Sequence, residues 1–225
     1  MAVVTIITSL IVMAGSILFG GRIMGYYPSM FWARIMAWLT FVRVTVHGKE
    51  NVRKGQSYIF VANHQGAYDI FAIYGWLSHN FVWMMKKSLQ KIPLVGYACL
   101  RAGHIYVDRR SPSGIQQTMA LAEKRIAEGR SVVVFPEGTR SRNGRLGTFK
   151  RGAYMLAEEF RLPVVPVTIN GAYKVMPTGS RLPRPGHITL TIHKPITAGE
   201  NGHDMATLME QSRQAIASAL PPSQR

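Results

Sequence analysis

Short, near-continuous apolar runs alternate with segments of helical character along most of this chain. No other feature limits the fold as much. Runs rich in β-branched or aromatic residues occupy Val42–Val46, Tyr58–Ala62, Phe81–Met85, His104–Val107, Ser131–Phe135, Val164–Ile169 and Ile188–Ile192. Strands that read this way are covered on both faces, as in parallel sheets. Helices are expected between them at Tyr68–Leu77, Pro93–Arg101, Ile115–Ala127, Thr148–Phe160 and Ala206–Ala219, with Gly129 ending the third as a C′ glycine. The pattern predicts an α/β domain with a mostly parallel central sheet flanked by helices, ligands being carried beyond the carboxyl ends of its strands. Pro166 interrupts its strand and implies an edge or a bulge. The tail after Ala219, with Pro221 and Pro222, is expected to be frayed.

Ahead of this domain lies a different kind of sequence. Met1 to Gly21 has no charged side chain and is rich in Val, Ile, Leu and Met, broken by Thr5, Thr8, Ser9 and Ser16. A helix of that length reaches about 30 Å, the thickness of a bilayer's hydrocarbon core. It has neither the basic n-region nor the small-x-small site of a signal peptide, so a retained membrane helix is expected. The next stretch mixes Arg22, Arg34 and Arg43 with Tyr26, Tyr27, Trp32 and Trp38, the composition of an interfacial helix. The division is therefore a membrane-associated two-helix element over residues 1–41 and a catalytic domain over 42–225. All three arginines follow the apolar run, which places the catalytic domain in the cytoplasm.

Charge narrows the partner. Lys and Arg number 27 against 11 Asp and Glu, for a net +16. That excess fits nucleic acid, an anionic membrane or a phosphorylated substrate. No nucleic-acid module is recognisable. A single cysteine, Cys99, excludes an internal disulfide and a thiolate zinc site. No metal spacing relates His47, His79, His104, His187, His193 and His203, which read as structural or surface residues. Trp83, Met84 and Met85 read as core.

Two constellations carry chemistry. Asn63-His64-Gln65-Gly66-Ala67-Tyr68-Asp69 follows an apolar strand and opens a helix. Gly66, as a flexible point, lets the chain fold back so that the Asp69 carboxylate reaches the His64 ring. A carboxylate on one ring nitrogen fixes the tautomer and frees the other to take a proton. No serine or cysteine nucleophile stands beside the pair and no G-x-S-x-G elbow is present, which suits activation of a substrate hydroxyl. Phe135-Pro136-Glu137-Gly138-Thr139-Arg140-Ser141 follows another strand, with Pro136 and Gly138 forming a tight turn and Arg140 offering a phosphate fork. Basic residues continue at Arg142, Arg145, Lys150 and Arg151.

Together with Gly103-x-Ile105-x-x-x-Arg109 and the strand Val165–Ile169, these blocks resemble, in order and spacing, the four motifs of the glycerolipid acyltransferase family that includes the bacterial 1-acylglycerol-3-phosphate acyltransferases. The first is N-H-x-x-x-x-D and the third F-P-E-G-T-R-S. Lys86-Lys87-Ser88-Leu89 and Ile92–Gly96 are similar to the family's spacer, and the likeness covers about Val42 to Ile192. It implies transfer of a fatty acyl group from acyl-CoA or acyl carrier protein to the sn-2 hydroxyl of lysophosphatidic acid at the bacterial inner (cytoplasmic) membrane, with no cofactor or metal. Relatives acylate glycerol-3-phosphate, lyso-ornithine lipid or other lysolipids, so the acceptor stays open. By the same likeness His64 is the general base, oriented by Asp69. Arg109 and Arg140, with Lys86 or Lys87, hold the acceptor phosphate, and Glu137, Gly138 and Thr139 shape the acceptor site. An apolar groove for the acyl chain is required, and the sequence does not locate it.

Overall fold

The structure, a computed structural model, describes residues 1–108, 111–197 and 204–225. Among them seven strands form one sheet: β1 (Val42–His47), β2 (Ile59–Ala62), β3 (Phe81–Lys86), β4 (Ile105–Val107), β5 (Ser131–Val134), β6 (Val164–Asn170) and β7 (Gly186–Ile192). Their order across the sheet is β1-β7-β6-β2-β5-β3-β4, and only the β6–β7 pairing is antiparallel. All seven expected strands are present, shifted by a residue or two at their ends. The helices are α1 (Ala2–Leu39), α2 (Tyr68–Trp76), α3 (Val95–Arg101), α4 (Pro112–Ala127), α5 (Gly152–Glu159), α6 (Ala172–Val175) and α7 (Met205–Ser218). Ser111 caps α4 by accepting from the Gly114 N–H at 3.1 Å, with Pro112 at the first helical position. At its other end Gly129 takes a left-handed φ of 73°, as expected.

Strand β2 shows why these runs read as unbroken apolar sequence. Phe60 and Ala62 pack under α1 and α2, whereas Ile59 and Val61 pack under α5 and α7, all four fully buried. Burial of Ile59, Phe60 and Val61 contributes about 1.5–3 kcal/mol each. Pro166 lies on β6, an interior strand, and not at an edge. Its missing N–H is tolerated at a bulge: between the Val167–Ile192 pair and the Val164–Ile196 bridge the chain after β7 carries one extra residue, and the Pro166 carbonyl accepts the His193 N–H at 2.9 Å.

The N-terminal element is a hairpin. Gly20, at φ 75° and ψ 155°, breaks the helical path inside α1. Trp32 Nε1 donates to Thr5 Oγ1 at 3.0 Å, whereas in a straight helix residues so far apart would be separated by roughly 40 Å. The first arm does not leave the domain as an isolated span, because its whole length rests on protein. Val12 packs with Ala98 and Ala102, Ser16 accepts from Arg101 Nε at 3.0 Å, and Gly21 abuts the Arg101 carbonyl. The polar interruptions explain this placement. Ser9, Val12 and Ser16 are buried at helical spacing, while Ile6, Ile7, Leu10, Ile11, Ile17, Leu18 and Phe19 are exposed on the other side. The polar stripe faces protein and the apolar face looks outward, the reverse of a helix on a water-facing surface.

The C-terminal tail is ordered, contrary to the expected fraying. Leu220 and Gln224 are buried, and Gln224 enters the hydrogen-bonding described below. Its anchorage is tertiary and leaves no pattern in the local sequence.

Candidate active site

Parallel pairing sets the height of the site. Val61 of β2 stands beside Val134 of β5, so the third residues beyond them, His64 and Glu137, emerge level with each other at the carboxyl edge. Asn63 fixes the other side by donating to the Ile169 carbonyl at 2.9 Å and accepting from the Ile169 N–H at 2.7 Å. These two bonds extend the β2–β6 register beyond the strand end.

From this point the chain turns into α2. His64 Nδ1 lies 2.8 Å from Asp69 Oδ2, which also accepts the Gln65 and Gly66 N–H groups at 2.7 and 2.8 Å. Asp69 is fully buried. Facing a carboxylate, Nδ1 is the protonated nitrogen and Nε2 keeps its lone pair. Gly66 serves close approach: a Cβ there would lie 2.6 Å from the Met176 carbonyl and 2.9 Å from that of Ala172. The His64 ring stacks on Phe135 with centroids 3.9 Å apart and planes at 5°, and Phe135 in turn stacks on Trp83 at 5.1 Å. One face of the imidazole is thereby held apolar.

The Phe135–Ser141 segment forms the predicted turn, with Gly138 N–H donating to the Phe135 carbonyl at 3.0 Å and Gly138 at φ 73°. A Cβ on Gly138 would come within 3.0 Å of Lys150 Nζ. Glu137 points inward. Its Oε1 accepts the His64 N–H at 2.7 Å and its Oε2 the Gly147 N–H at 2.8 Å. Burial pushes its carboxyl above the usual range, and the two N–H bonds act against that shift. Each oxygen takes one backbone N–H, so this carboxylate fixes the loop. Arg140 and Thr139 are exposed beside it, and the Ser141 N–H donates to the His64 carbonyl at 2.8 Å.

A cavity of about 950 Å³ opens at His64, near the upper end of the size range of ligand pockets. Its mouth carries Lys86, Lys87, Arg140 and Lys150. Lys87 is ion-paired with Asp108 at 2.7 Å. Apolar side chains of β3 and α3 line its depth, and it reaches Ser9 and Val12 on the inner face of the α1 hairpin. Trp83 therefore forms cavity wall as well as core, and the partly buried Met84 and Met85 line the cavity while packing against the core. Deep in this wall His104 sits between Tyr74 and β3. Its Nε2 is 2.6 Å from the Tyr74 hydroxyl, and its Nδ1 accepts the Trp83 N–H at 3.2 Å. Burial, with Arg130 and Arg125 nearby, holds its pKa down to about 3.

The structure thus brings together His64, Asp69, Lys86, Lys87, Glu137, Gly138, Thr139 and Arg140. Arg109 lies outside the described residues, as does His203. Sequence reasoning missed Gln65 and Gln224 as loop supports: Gln65 Nε2 donates to the Gly144 carbonyl at 2.8 Å and to Gln224 Oε1 at 3.1 Å. It also gave Lys150 no part beyond a basic run.

An acyltransferase family model matches residues 43–170, which contain both constellations and every strand from β2 to β6. The chain belongs to the acyltransferase family. It is 33% identical over 204 residues to a 1-acyl-sn-glycerol-3-phosphate acyltransferase of Chlamydomonas reinhardtii, covering 89% of this chain and 60% of the relative. It is 32% identical over 197 residues to a chloroplastic 1-acyl-sn-glycerol-3-phosphate acyltransferase of Arabidopsis thaliana, covering 87% and 54%. The chain thus spans little more than half the length of these curated relatives. Among solved structures it resembles the 1-acyl-sn-glycerophosphate (LPA) acyltransferase PlsC of Thermotoga maritima, with a TM-score of 0.75, 28% identity, and coverage of 91% of this chain and 87% of that one.

Proposed function

We propose that this acyltransferase moves a fatty acyl group from a pantetheine thioester, acyl-CoA or acyl carrier protein, to the sn-2 hydroxyl of lysophosphatidic acid, giving phosphatidic acid. The observation that carries the reading is one juxtaposition. A histidine with its Nδ1 committed to a buried carboxylate stands where a basic mouth meets a long apolar cavity. Similarity to the named relatives supports the acceptor.

In this reading His64 Nε2 takes the proton of the acceptor hydroxyl as its oxygen attacks the thioester carbonyl. Asp69 orients the ring and stabilises the imidazolium. The tetrahedral intermediate breaks its C–S bond, and the proton passes from His64 to the departing thiolate. General-base catalysis supplies about 10²–10⁴-fold, and positioning much of the rest. Lys86, Arg140 and Lys150 are the cations that meet the acceptor phosphate, with Lys87 shared with Asp108. The acyl chain occupies the apolar depth. The outward apolar face of the hairpin seats the domain on a cytoplasmic membrane, where each nearby Lys or Arg adds about 1 kcal/mol of attraction to anionic lipid.

The test is incubation of purified, detergent-solubilised protein with lysophosphatidic acid and a long-chain acyl-CoA, following thiol release and phosphatidic acid together. Wild type should form both and His64→Ala neither, with the variant's fold unchanged by circular dichroism. Equal activity in the variant removes His64 from the mechanism. Absence of product with acyl-CoA and with acyl carrier protein alike removes the reaction.

A further inference from the structure

The reaction proposed above joins two substrates that both carry phosphate, the lysolipid on its glycerol and the donor at the end of its pantetheine arm. The inference that follows rests on that reading. The mouth of the large cavity offers Lys86, Lys87 and Lys150. A second, polar pocket of about 620 Å³ lies along the loop that follows, lined among others by Arg140, Arg142 and Arg145 with Ser141 and Thr148. Thr139 and Arg140 line both spaces and so stand at their boundary. The proposed chemistry uses Arg140 and gives Arg142 and Arg145 nothing to do.

The pocket is built on a fixed scaffold. Asn143 Oδ1 accepts the Arg145 N–H at 3.0 Å and the Ser141 hydroxyl at 3.1 Å, which curls the arginine-bearing turn. Leu146 and Phe149 are buried, and the Leu146 N–H donates to the Gln224 carbonyl at 2.8 Å. Glu137 also lines the pocket, but it is buried and bonded to two backbone N–H groups, and it pairs with none of the three arginines. Among the described residues none of Arg140, Arg142 and Arg145 forms an ion pair. Exposed guanidiniums lining a concavity with hydroxyl donors match phosphate oxygens in both charge and fork geometry.

We infer that Arg142 and Arg145 bind the phosphate end of the acyl donor, leaving the lysine-lined mouth to the phosphate of the lysolipid. The recognised chemistry is the phosphate that follows pantetheine, common to CoA and to a phosphopantetheinylated carrier protein. Two anion sites that meet at Thr139 and Arg140 let both substrates be held at once without their phosphates competing.

The experiment compares three donors bearing the same acyl chain: acyl-CoA, acyl carrier protein and acyl-pantetheine, which has no phosphate. Wild type and an Arg142→Ala/Arg145→Ala double variant are assayed with each. For a phosphorylated donor kcat/KM should fall about 10–100-fold, the loss of one or two charge-assisted contacts. Turnover of acyl-pantetheine and the KM for lysophosphatidic acid should change less than about twofold. A loss with both phosphorylated donors assigns the shared 4′-phosphate, and a loss with acyl-CoA alone assigns the phosphates of its nucleotide. An equal loss with acyl-pantetheine, or a rise in the lysophosphatidic acid KM alone, overturns the inference. Arg142→Lys/Arg145→Lys, which keeps the charges, should recover part of the activity. If wild type makes no phosphatidic acid from any donor, it is the acyl-transfer reading that fails, and this inference with it.

Discussion

The His64 backbone N–H donates to Glu137 Oε1 at 2.7 Å, tying the ends of two neighbouring parallel strands together at the mouth of the cavity. Because the other Glu137 oxygen accepts from Gly147, one buried carboxylate sets the position of the histidine and of the basic loop at once. An amide can accept only one of these bonds and sets an N–H against the other. Glu137→Gln should therefore lose about 1–3 kcal/mol of stability and most of its activity. Thermal unfolding in detergent alongside turnover checks this, and a fully active variant of unchanged stability removes Glu137 from the scaffold.

Asp69 gives a sharper test of the dyad. Its Oδ2 gathers three hydrogen bonds while its Oδ1 is buried without a partner. In Asp69→Asn the amide oxygen can take the Oδ2 place and keep all three, so the His64 tautomer survives and only the negative charge is lost. The imidazolium is then less favourable. The expected outcome is a kcat lower by up to about 10²–10⁴-fold. An unchanged kcat in the folded variant would argue against Asp69 acting through His64.

The apolar depth predicts chain selectivity. Ala98 is 6% exposed and lies where α3 meets the first arm of α1, on the cavity wall. Ala98→Phe shortens the space for an acyl tail. Its ratio of kcat/KM for long over short acyl donors should fall at least ~10-fold, in keeping with the few kcal/mol that methylene fit commands. An unchanged ratio in a folded variant would place the acyl chain elsewhere.

His104 makes stability depend on pH. Its folded pKa, about 3, lies below the ordinary histidine value, so the unfolded chain binds a proton that the folded chain refuses. The neutral-pH stability is complete above pH ~6.5. It falls at about 1.4 kcal/mol per unit as pH drops from there towards the folded value. Asn can still accept the Trp83 N–H and carries no titrating group. His104→Asn should be less stable at neutral pH, having lost the Tyr74 contact, yet its melting temperature should fall less steeply between pH 7 and 4. Parallel slopes for the two proteins would refute the assignment.

Much of this was legible in the chain. Strand–helix alternation located all seven strands, because residues buried on both faces of a sheet must be apolar at successive positions. His64, Asp69 and the Phe135–Ser141 turn were legible for a local reason: five residues and one turn bring the carboxylate to the imidazole and the glycine to a left-handed φ. The family likeness implied Lys87 as a holder of the acceptor phosphate, and only the approach of Asp108, just past β4, showed it to be ion-paired.

Sequence by itself determined the class of sheet, the pairing of His64 with Asp69 and the apolar character of the first twenty residues. Each of these depends on neighbours in the chain. Only the tertiary structure decided that Gly20 folds those residues back as a hairpin, that their serines face α3 to close a cavity, and that Gln224 braces Gln65 beside the site. These contacts join positions far apart in sequence through shape and unsatisfied hydrogen-bonding groups, neither of which has a local period to be read.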